Sequence, residues 1–241
     1  NDYTLAWYWF NWYCVDANGQ FVRHTGLVEY YGSYFFVQDG ILNWYYNGIY
    51  EENGELYYVE WGVYKPDYTG LAQYNGVWTY FVEGVPAYDY VGLVEYNGSW
   101  FYVENGVINW NYTGLVNYYG DWFYVENGVL NFNYNSLTYY YGYWFHVQNG
   151  WLNWGYTGLS YYEGNWFYVE NGTLNWDYKG YVEYEGEDFY VENGYINWDH
   201  ENNKKFKDVN NEVHDDNSNN KNDKEDWNNG TDKNDDKNQS N

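Results

Sequence analysis

The residues with the clearest chemical potential in this chain are aromatic side chains that return at a fixed spacing. The chain has 16 tryptophans and 37 tyrosines among 241 residues, and the words around them repeat, as in GSWFYVENGVINWNYTG at 98–114. The face of such a ring holds a quaternary ammonium group by cation–π attraction, worth on the order of 0.5–2 kcal/mol, or stacks under the C–H face of a sugar. The same rings also stabilise sheets by packing on one another.

Carboxylates accompany the rings, but they recur as a ladder and do not single out one pair. Hydrolysis of a glycosidic bond needs two acids at a defined separation, whereas acids here return in most repeats, for example Glu104, Glu126 and Glu170. We interpret them as solvated groups that discourage aggregation and favour a cation or a sugar hydroxyl near the rings. The four histidines are scattered, and the spacing of calcium-binding repeats is absent. The sequence therefore predicts no enzyme, no metal site and no cofactor.

The charge of the chain excludes several partners. The formal net charge is −25, and the first 200 residues hold only three basic residues, Arg23, Lys65 and Lys179, against 24 acidic ones. Such a surface repels phosphate backbones and anionic lipid headgroups. No apolar run approaches the roughly 18 residues that a membrane span needs. We therefore expect no nucleic acid partner and no membrane insertion.

A repeat of 22 residues sets out the aromatic positions. When the glycine of words such as Thr-Gly-Leu is position 1, regular repeats begin at Gly26, Gly48, Gly70, Gly92, Gly114, Ser136, Gly158 and Gly180. Positions 7 and 15 are glycine in all eight repeats, and a degenerate ninth repeat precedes them, with residues 12–19 as its recognisable part. A fixed period of this length is the signature of stacked repeat architectures.

Each repeat is predicted to contain three short strands. Positions 2–5 and 8–13 are rich in residues that suit a pleated surface. The Asn-Gly pair at positions 6–7, as in Asn97-Gly98, predicts a two-residue hairpin turn with positive φ at both residues. A second Asn-Gly at positions 14–15 leads into a third strand at 16–19. We expect the core at positions 2, 10, 12 and 17, and the rings of positions 9, 11, 19 and 21 on the other side or in grooves between repeats.

The predicted fold is therefore all-β: a β-hairpin solenoid of about nine 22-residue repeats over residues 1–200, with a degenerate first repeat and regular repeats at 26–200. Composition changes abruptly after His200 to Asn, Asp and Lys. Such a segment buries too little apolar surface to offset the cost of ordering. We therefore expect a disordered tail over residues 201–241.

The pattern G-L-V-x-Y-x-G-x-W-F-Y-V-x-N-G resembles the choline-binding or cell-wall-binding repeat of bacterial surface proteins and lysins, and is similar to glucan-binding and clostridial-toxin repeats. The resemblance covers about residues 5–200. It implies hairpins stacked into a solenoid, with ligands in aromatic cages between successive hairpins. One departure is that the family's Gly-Trp, whose tryptophan helps form the choline cage, is Gly-Leu here, as at Leu93. Later rings of the repeat, such as Trp110, are expected to replace it.

We predict ligand contacts at three aromatic positions. The resemblance carries over to positions 9 and 11, and position 19 supplies the replacement rings. The predicted ligand-binding residues are Trp100, Tyr102, Trp110, Trp122, Tyr124, Trp144, Trp154, Trp166, Tyr168 and Trp176. Several near-identical weak sites on one chain multiply avidity.

The resemblance implies a non-catalytic module that holds a secreted or surface protein on a cell-wall polysaccharide, teichoic acid or other glycan, and hence an extracellular or cell-surface location. The chain starts at Asn1 without a signal-like stretch, so we expect any targeting signal to lie outside it. Two alternatives remain. An aromatic solenoid with open ends would self-associate end to end into a filament or surface spike, and an adhesin would bind a host protein instead of a sugar.

Overall fold

The computed structural model describes residues 3–205, which contain antiparallel hairpins and one short helical turn. The all-β prediction is confirmed. The chain divides into two compact units, Asn1–Asn131 and Phe132–Asn241, here called the N-terminal and C-terminal units. Each consists of successive hairpins of the predicted period.

The strands follow the repeat without interruption. In the N-terminal unit they are β1 (Thr4–Tyr8), β2 (Asn11–Val15), β3 (Gly26–Tyr30), β4 (Ser33–Gln38), β5 (Ile41–Leu42), β6 (Gly48–Glu52), β7 (Glu55–Glu60), β8 (Val63–Tyr64), β9 (Gly70–Tyr74), β10 (Val77–Val82), β11 (Val85–Pro86), β12 (Gly92–Tyr96), β13 (Ser99–Glu104), β14 (Val107–Ile108), β15 (Gly114–Tyr118), β16 (Asp121–Glu126) and β17 (Val129–Leu130). In the C-terminal unit they are β18 (Ser136–Tyr140), β19 (Tyr143–Gln148), β20 (Trp151–Leu152), β21 (Gly158–Tyr162), β22 (Asn165–Glu170), β23 (Thr173–Leu174), β24 (Gly180–Tyr184), β25 (Glu187–Glu192) and β26 (Tyr195–Ile196).

Each hairpin pairs position 2 with position 11 and position 4 with position 9. In β12 and β13 these pairs are Leu93 with Tyr102 and Glu95 with Trp100. Directly opposed residues of an antiparallel pair share a face. One face therefore carries positions 2, 4, 9 and 11, and we call it the tryptophan face. The other carries positions 3, 5, 10 and 12, and we call it the valine face.

Both turns of the repeat have the predicted left-handed geometry. Asn97 and Gly98 have φ of 50° and 81°, and Asn105 and Gly106 have φ of 53° and 73°. These are the conformations that a type I′ turn requires and that Asn and Gly tolerate best. Tyr119, which occupies position 6 of its repeat, also has a positive φ of 52°.

The glycine at position 15 joins consecutive repeats. The Gly128 amide donates to the Tyr112 carbonyl oxygen at 2.9 Å, and the Gly128 carbonyl accepts from the Tyr102 amide at 2.9 Å. A Cβ atom on Gly128 would lie 2.6 Å from the Asn109 carbonyl oxygen. Glycine is therefore needed here for a close approach between repeats as well as for the turn.

The core forms where the tryptophan face of one repeat packs on the valine face of the next. Between the Gly92 and Gly114 repeats, Leu93 and Tyr102 pack with Val116 and Val125. The valines at position 12 of the regular interior repeats are fully buried. The predicted core positions 2, 12 and 17 are confirmed there, while several position 10 phenylalanines, such as Phe101, are only half-buried. Positions 3 and 11 are additional core positions, because stacking buries both faces of each hairpin.

The C-terminal unit follows the same plan, with a hydrogen-bonded polar pair in its core. His146 occupies position 11 and stacks on Tyr156 with ring centroids 3.7 Å apart. Its Nδ1 lies 3.0 Å from the Oγ of Ser160, which is buried at position 3 of the next repeat. A small polar residue, Ser160, therefore lies against the polar His146 ring.

The last repeat is closed by residues 201–205, which form a helical turn. The side-chain oxygen of the fully buried Asn203 accepts from the Tyr190 amide at 2.9 Å. Its side-chain nitrogen donates to the carbonyl oxygens of Tyr190 and Asn197 at 2.8 and 2.7 Å. Residues 201–205, which the prediction assigned to the tail, are therefore ordered against the last repeat. The Asn203 side chain supplies the acceptor that a further repeat would give to the Tyr190 amide. The rest of the predicted tail lies outside the described residues.

Candidate functional site

The tryptophans at position 9 meet the tyrosine at position 5 of the following repeat. The position 9 side chains are half-buried in five repeats, at Trp78, Trp100, Trp122, Trp144 and Trp166. The centroid distances are 4.9 Å for Trp78–Tyr96, 5.3 Å for Trp100–Tyr118, 4.9 Å for Trp144–Tyr162 and 4.7 Å for Trp166–Tyr184. We call each such pair, together with position 4 beside the tryptophan and position 6 beside the tyrosine, an aromatic cluster, and name it by its tryptophan.

The tyrosines predicted at position 11 lie in the core. Tyr102, Tyr124 and Tyr168 are 6–7% exposed, since they share the tryptophan face with the leucine of position 2. Tyr168 stacks on Tyr178 of its own repeat with centroids 3.7 Å apart. The structure gives these tyrosines a packing role, and we leave them out of the proposed site.

The tryptophans predicted at position 19 are exposed but lie apart from position 9. Trp110, Trp154 and Trp176 are 46%, 54% and 37% exposed. Each stands edge-on to the phenylalanine at position 10 of its own repeat, as Trp110 does to Phe101 at 5.8 Å. The position 19 ring contacts position 10 of its own repeat, whereas the position 9 ring contacts position 5 of the next repeat. The two sets meet through intervening rings, as where Phe35 lies 6.1 Å from Trp44 and 6.5 Å from Tyr30. Within each unit the position 19 rings form a second set of rings, which we call the second row.

Polar side chains accompany the second row. The asparagine at position 18 donates to the side chain at position 13, as Asn109 does to Glu104 at 2.7 Å. Beside Trp198 an open cleft of about 350 Å³ is lined by Asn165, Glu192 and Asp199, among others. This row therefore combines exposed indoles with carboxylate and amide groups suited to sugar hydroxyls.

The Trp100 cluster carries a carboxylate and an extra phenol. Glu95 is directly opposite Trp100 on the same face, and its Oε1 accepts from the Gly98 amide at 2.6 Å. Tyr119 lies edge-on to Tyr118, with centroids 4.5 Å apart, and is 91% exposed. The site therefore presents three rings and one negative charge.

The Trp78 cluster has the same pair of rings but neither addition. Gln73 is opposite Trp78, and Asn97 follows Tyr96 at the turn. Both Gln73 and Asn97 are exposed. This cluster therefore has two rings and no carboxylate at these positions.

The Trp166 cluster has the phenol at position 4 and the carboxylate at position 6, the reverse of the Trp100 cluster. Tyr161 is opposite Trp166, with ring centroids 5.3 Å apart. Glu185 follows Tyr184 at the turn, and burial together with the Glu185 carboxylate raises the pKa of Tyr184. The Trp144 cluster has the same arrangement, with Tyr139 opposite the tryptophan at 5.5 Å and Glu163 at the turn.

The first hairpin has a third arrangement. Trp7 is opposite Trp12, with centroids 5.5 Å apart, and Trp12 meets Tyr30 at 5.1 Å. Tyr31 lies 4.6 Å from Tyr30. The Trp12 cluster thus has a ring at position 4 and a ring at position 6, and no carboxylate at either position.

Burial affects the ionisation of some phenols in and beside the clusters. Burial, aided by neighbouring phenols such as Tyr80 and Tyr118, raises the pKa of Tyr90, which packs on the same buried group as Trp78 and Tyr96, to about 12. Burial and the Tyr119 phenol also raise the pKa of Tyr118. The rings therefore offer neutral, electron-rich surfaces, and the formal negative charge at the variable positions comes from the carboxylates.

The leucine that departs from the family pattern is part of the core. Leu93, Leu115 and Leu137 are at most 1% exposed, so in these repeats the position 2 side chain is closed to a ligand. Within the described residues no helix is long and apolar enough to cross a membrane. In the same range no group of three His, Cys, Asp or Glu side chains is placed to hold a metal ion.

Comparison with known sequences identifies the repeat. The family model of the choline-binding repeat matches six segments that together make up half of the chain, at residues 25–43, 67–84, 89–109, 111–131, 155–175 and 177–197. No curated protein sequence matches the chain.

Several solved structures are similar to the chain. CbpJ from Streptococcus pneumoniae is 19% identical over 77% of this chain and 62% of its own, with a TM-score of 0.32. Choline binding protein F from Streptococcus pneumoniae is 18% identical over 78% of this chain and 70% of its own, with a TM-score of 0.30. The choline binding domain of Spr1274 from Streptococcus pneumoniae is 31% identical over 35% of this chain and 94% of its own, with a TM-score of 0.23. The chain thus spans less than two thirds of the length of CbpJ.

Proposed function

The chain belongs to the choline-binding repeat family, and we propose that it is a non-catalytic module that attaches a secreted or surface protein to a polymer of the bacterial cell wall. The observation that carries the proposal is the repetition of half-buried Trp–Tyr pairs, 4.7–5.3 Å apart, at successive hairpin junctions. Structures similar to this chain include choline binding protein F with a peptidoglycan analogue. An extracellular or cell-surface location follows from this role.

Two rows of rings supply the attachment. The position 9 rings, Trp100, Trp122, Trp144 and Trp166, meet cationic substituents of the polymer such as the choline of teichoic acid. The position 19 rings, Trp110, Trp154 and Trp176, stack on sugar faces, with hydroxyl groups bonded to the neighbouring asparagines and carboxylates. Each contact is weak, but an immobile polymer engages several sites at once, and the effective concentration raises overall avidity by orders of magnitude.

A binding role agrees with how the acidic groups are arranged. The carboxylates recur in equivalent places, as Glu104 and Glu170 do when they accept from the asparagine of position 18 at 2.7 and 2.8 Å. A hydrolase needs one distinct acid pair with different pKa values. The repeats' negative charge also favours cationic over anionic ligands.

Self-assembly into a filament is less well supported, because the C-terminal end of the stack is covered. The Asn203 side chain already occupies the Tyr190 amide, the group that bonds the next repeat elsewhere, as the Tyr102 amide bonds the Gly128 carbonyl oxygen. The last repeat also has Asp188 in place of the position 9 tryptophan. Binding to a host protein has no specific observation in its favour.

Retention on purified cell walls tests the proposal. One variant changes Trp100, Trp122, Trp144 and Trp166 to Leu, the residue that Leu56 already supplies at position 9 of another repeat. A second changes Trp110, Trp154 and Trp176 to Leu. We expect each variant to lose at least about ten-fold in retention, and free choline to compete only through the position 9 set.

A matched control separates ring loss from a general effect of removing tryptophan. Trp61, which is 63% exposed at a turn outside both rows, is changed to Leu and should leave retention unchanged. Circular dichroism verifies that all variants keep their β signal. Undiminished retention in both folded multiple variants would overturn the proposal.

A further inference from the structure

We infer that two exposed positions, 4 and 6, decide which aromatic clusters bind an organic cation of the quaternary ammonium class, and that the Trp100, Trp144 and Trp166 clusters bind it. The inference rests on the proposed function in that it uses the same row of position 9 rings. It adds which clusters are occupied and which residues select the ligand.

The same two groups, a carboxylate and a phenol, occur at positions 4 and 6 of these clusters in either order. The Trp100 cluster has a carboxylate at position 4 and a phenol at position 6, Glu95 and Tyr119. The Trp166 cluster has the phenol at position 4 and the carboxylate at position 6, Tyr161 and Glu185. Packing does not require this pairing, because the Trp78 cluster forms with Gln73 and Asn97 instead. What the three clusters preserve is one extra ring and one negative charge beside each Trp–Tyr pair.

The backbone at position 6 is strained. Tyr119 and Glu185 have φ of 52° and 53°, a region that costs non-glycine residues energy and that Asn, as at Asn97, tolerates better. Both side chains are exposed, so burial offsets little of the strain. Tyr31 of the Trp12 cluster shares it, with φ of 50°, so the strain marks position 6 in general and the carboxylate distinguishes the three clusters. Residues held in this region against their preference often serve binding. The added phenol or carboxylate is the group that such a site would use.

The shape and charge of the clusters suit an organic cation. The Trp–Tyr ring planes meet at 66° in the Trp100 cluster and at 55° in the Trp166 cluster. Rings tilted in this way form a corner that suits a rounded trimethylammonium group better than a flat sugar ring. A carboxylate next to the corner adds Coulombic attraction for a cation. A neutral sugar gains no such charge attraction from that group.

A reciprocal exchange between consecutive repeats tests the inference. One variant combines Glu95→Gln with Tyr119→Asn and gives the Trp100 cluster the composition of the Trp78 cluster. The other combines Gln73→Glu with Asn97→Tyr and does the opposite. Tetramethylammonium chloride is the probe, with calorimetry and tryptophan fluorescence as readouts and choline chloride as a second arm. Sodium chloride at equal ionic strength is the control.

We expect the first variant to bind one cation fewer than the wild-type chain, and the second to bind one more. The altered site should change in affinity by roughly ten-fold or more, the effect of one ring and one charge. All four positions are exposed, so thermal unfolding should show that both variants remain folded. Unchanged stoichiometry in both folded variants, or no tetramethylammonium binding by the wild-type chain, overturns the inference.

The cell-wall assay distinguishes this failure from failure of the proposed function. A wild-type chain that is retained on cell walls but binds no tetramethylammonium overturns the inference and leaves wall attachment standing. A chain that shows the reciprocal change in cation binding but is not retained on walls supports the inference and overturns wall attachment.

Discussion

The Trp78 and Trp100 clusters lie in consecutive repeats and differ in only a few exposed side chains. Both place a tryptophan against the tyrosine of the next repeat, at 4.9 and 5.3 Å, over the same kind of buried core. Only the Trp100 cluster adds a carboxylate and a third ring, through Glu95 and Tyr119. The comparison shows that equivalent buried positions build these two clusters alike, whereas exposed positions 4 and 6 vary without disturbing them.

This division follows from how a solenoid is stabilised. Each repeat buries its two faces against its neighbours, so core positions are constrained by the stack. Exposed turn and strand positions contribute little to stability and are therefore free to specify a ligand. The predictions below test, in order of expected effect, whether the clusters share one scaffold and whether their difference lies in the exposed residues.

The largest effect is expected where the common scaffold is broken. Gly128→Ala and Gly106→Ala should each cost about 3 kcal/mol or more of unfolding free energy, because the added Cβ would lie 2.6 Å from the Asn109 carbonyl oxygen and 2.5 Å from that of Ala87. Gly120→Ala, with open space around the added Cβ, should cost only the left-handed penalty of about 1–2 kcal/mol. Urea unfolding measures all three. A clear difference between Gly106 and Gly128 would show that the two clusters stand on different scaffolds.

The next effect concerns the repeat that no further repeat covers. Asn203→Ala should destabilise the last hairpin by about 1–3 kcal/mol, because it leaves the Tyr190 amide without its acceptor. The Tyr190 and Asn197 carbonyl oxygens each lose one donor but keep the backbone amides of Asn197 and His200. Amide hydrogen exchange at Tyr190 measures this loss, with the exposed Asn202→Ala as control. Unchanged protection at Tyr190 would mean that Asn203 is no substitute for a repeat.

The scaffold of the Trp144 cluster differs from the others by His146, and acid should reveal it. Burial lowers the pKa of His146 from 6.5 to about 4, so the folded state prefers the neutral ring. The unfolded chain takes up the proton as pH falls below 6.5, and stability is lost progressively until about pH 4, by up to about 3 kcal/mol.

Changing His146→Tyr together with Ser160→Val restores the usual apolar pair and should remove this part of the pH dependence. Thermal unfolding between pH 7 and pH 4 tests it. The same acid sensitivity in the double variant would assign the effect to other groups.

The smallest stability effect should have the opposite sign. Tyr119→Asn gives the turn the residue found at Asn97 and should raise stability by a few tenths of a kcal/mol, since Asn tolerates positive φ better. The same change should weaken cation binding at the Trp100 cluster. Calorimetric unfolding and tetramethylammonium titration on one sample measure both. A variant that is less stable and binds equally well would reverse the roles assigned to Tyr119.

The sequence was sufficient to predict the period, the hairpins and both turns, because glycine and Asn-Gly pairs report φ directly. It was less informative about burial. Alternation assigns Tyr102 and Phe101 to opposite faces but does not say that both faces find partners, so Tyr102 was predicted as a ligand contact and lies in the core. Nor does composition distinguish Asn203, which forms the cap, from the asparagines around it. The Glu95 and Tyr119 pairing becomes visible only when cross-strand and inter-repeat neighbours are known.

The most direct test of the account is the response of individual indole N–H signals to tetramethylammonium in the ¹⁵N-tryptophan-labelled chain, assigned with single Trp→Phe variants. We predict that the signals of Trp100, Trp144 and Trp166 shift in a saturable manner while that of Trp78 stays in place. Equal shifts at Trp78 and Trp100, or no shift at any of the four, would contradict the claim that exposed positions 4 and 6 select the cation.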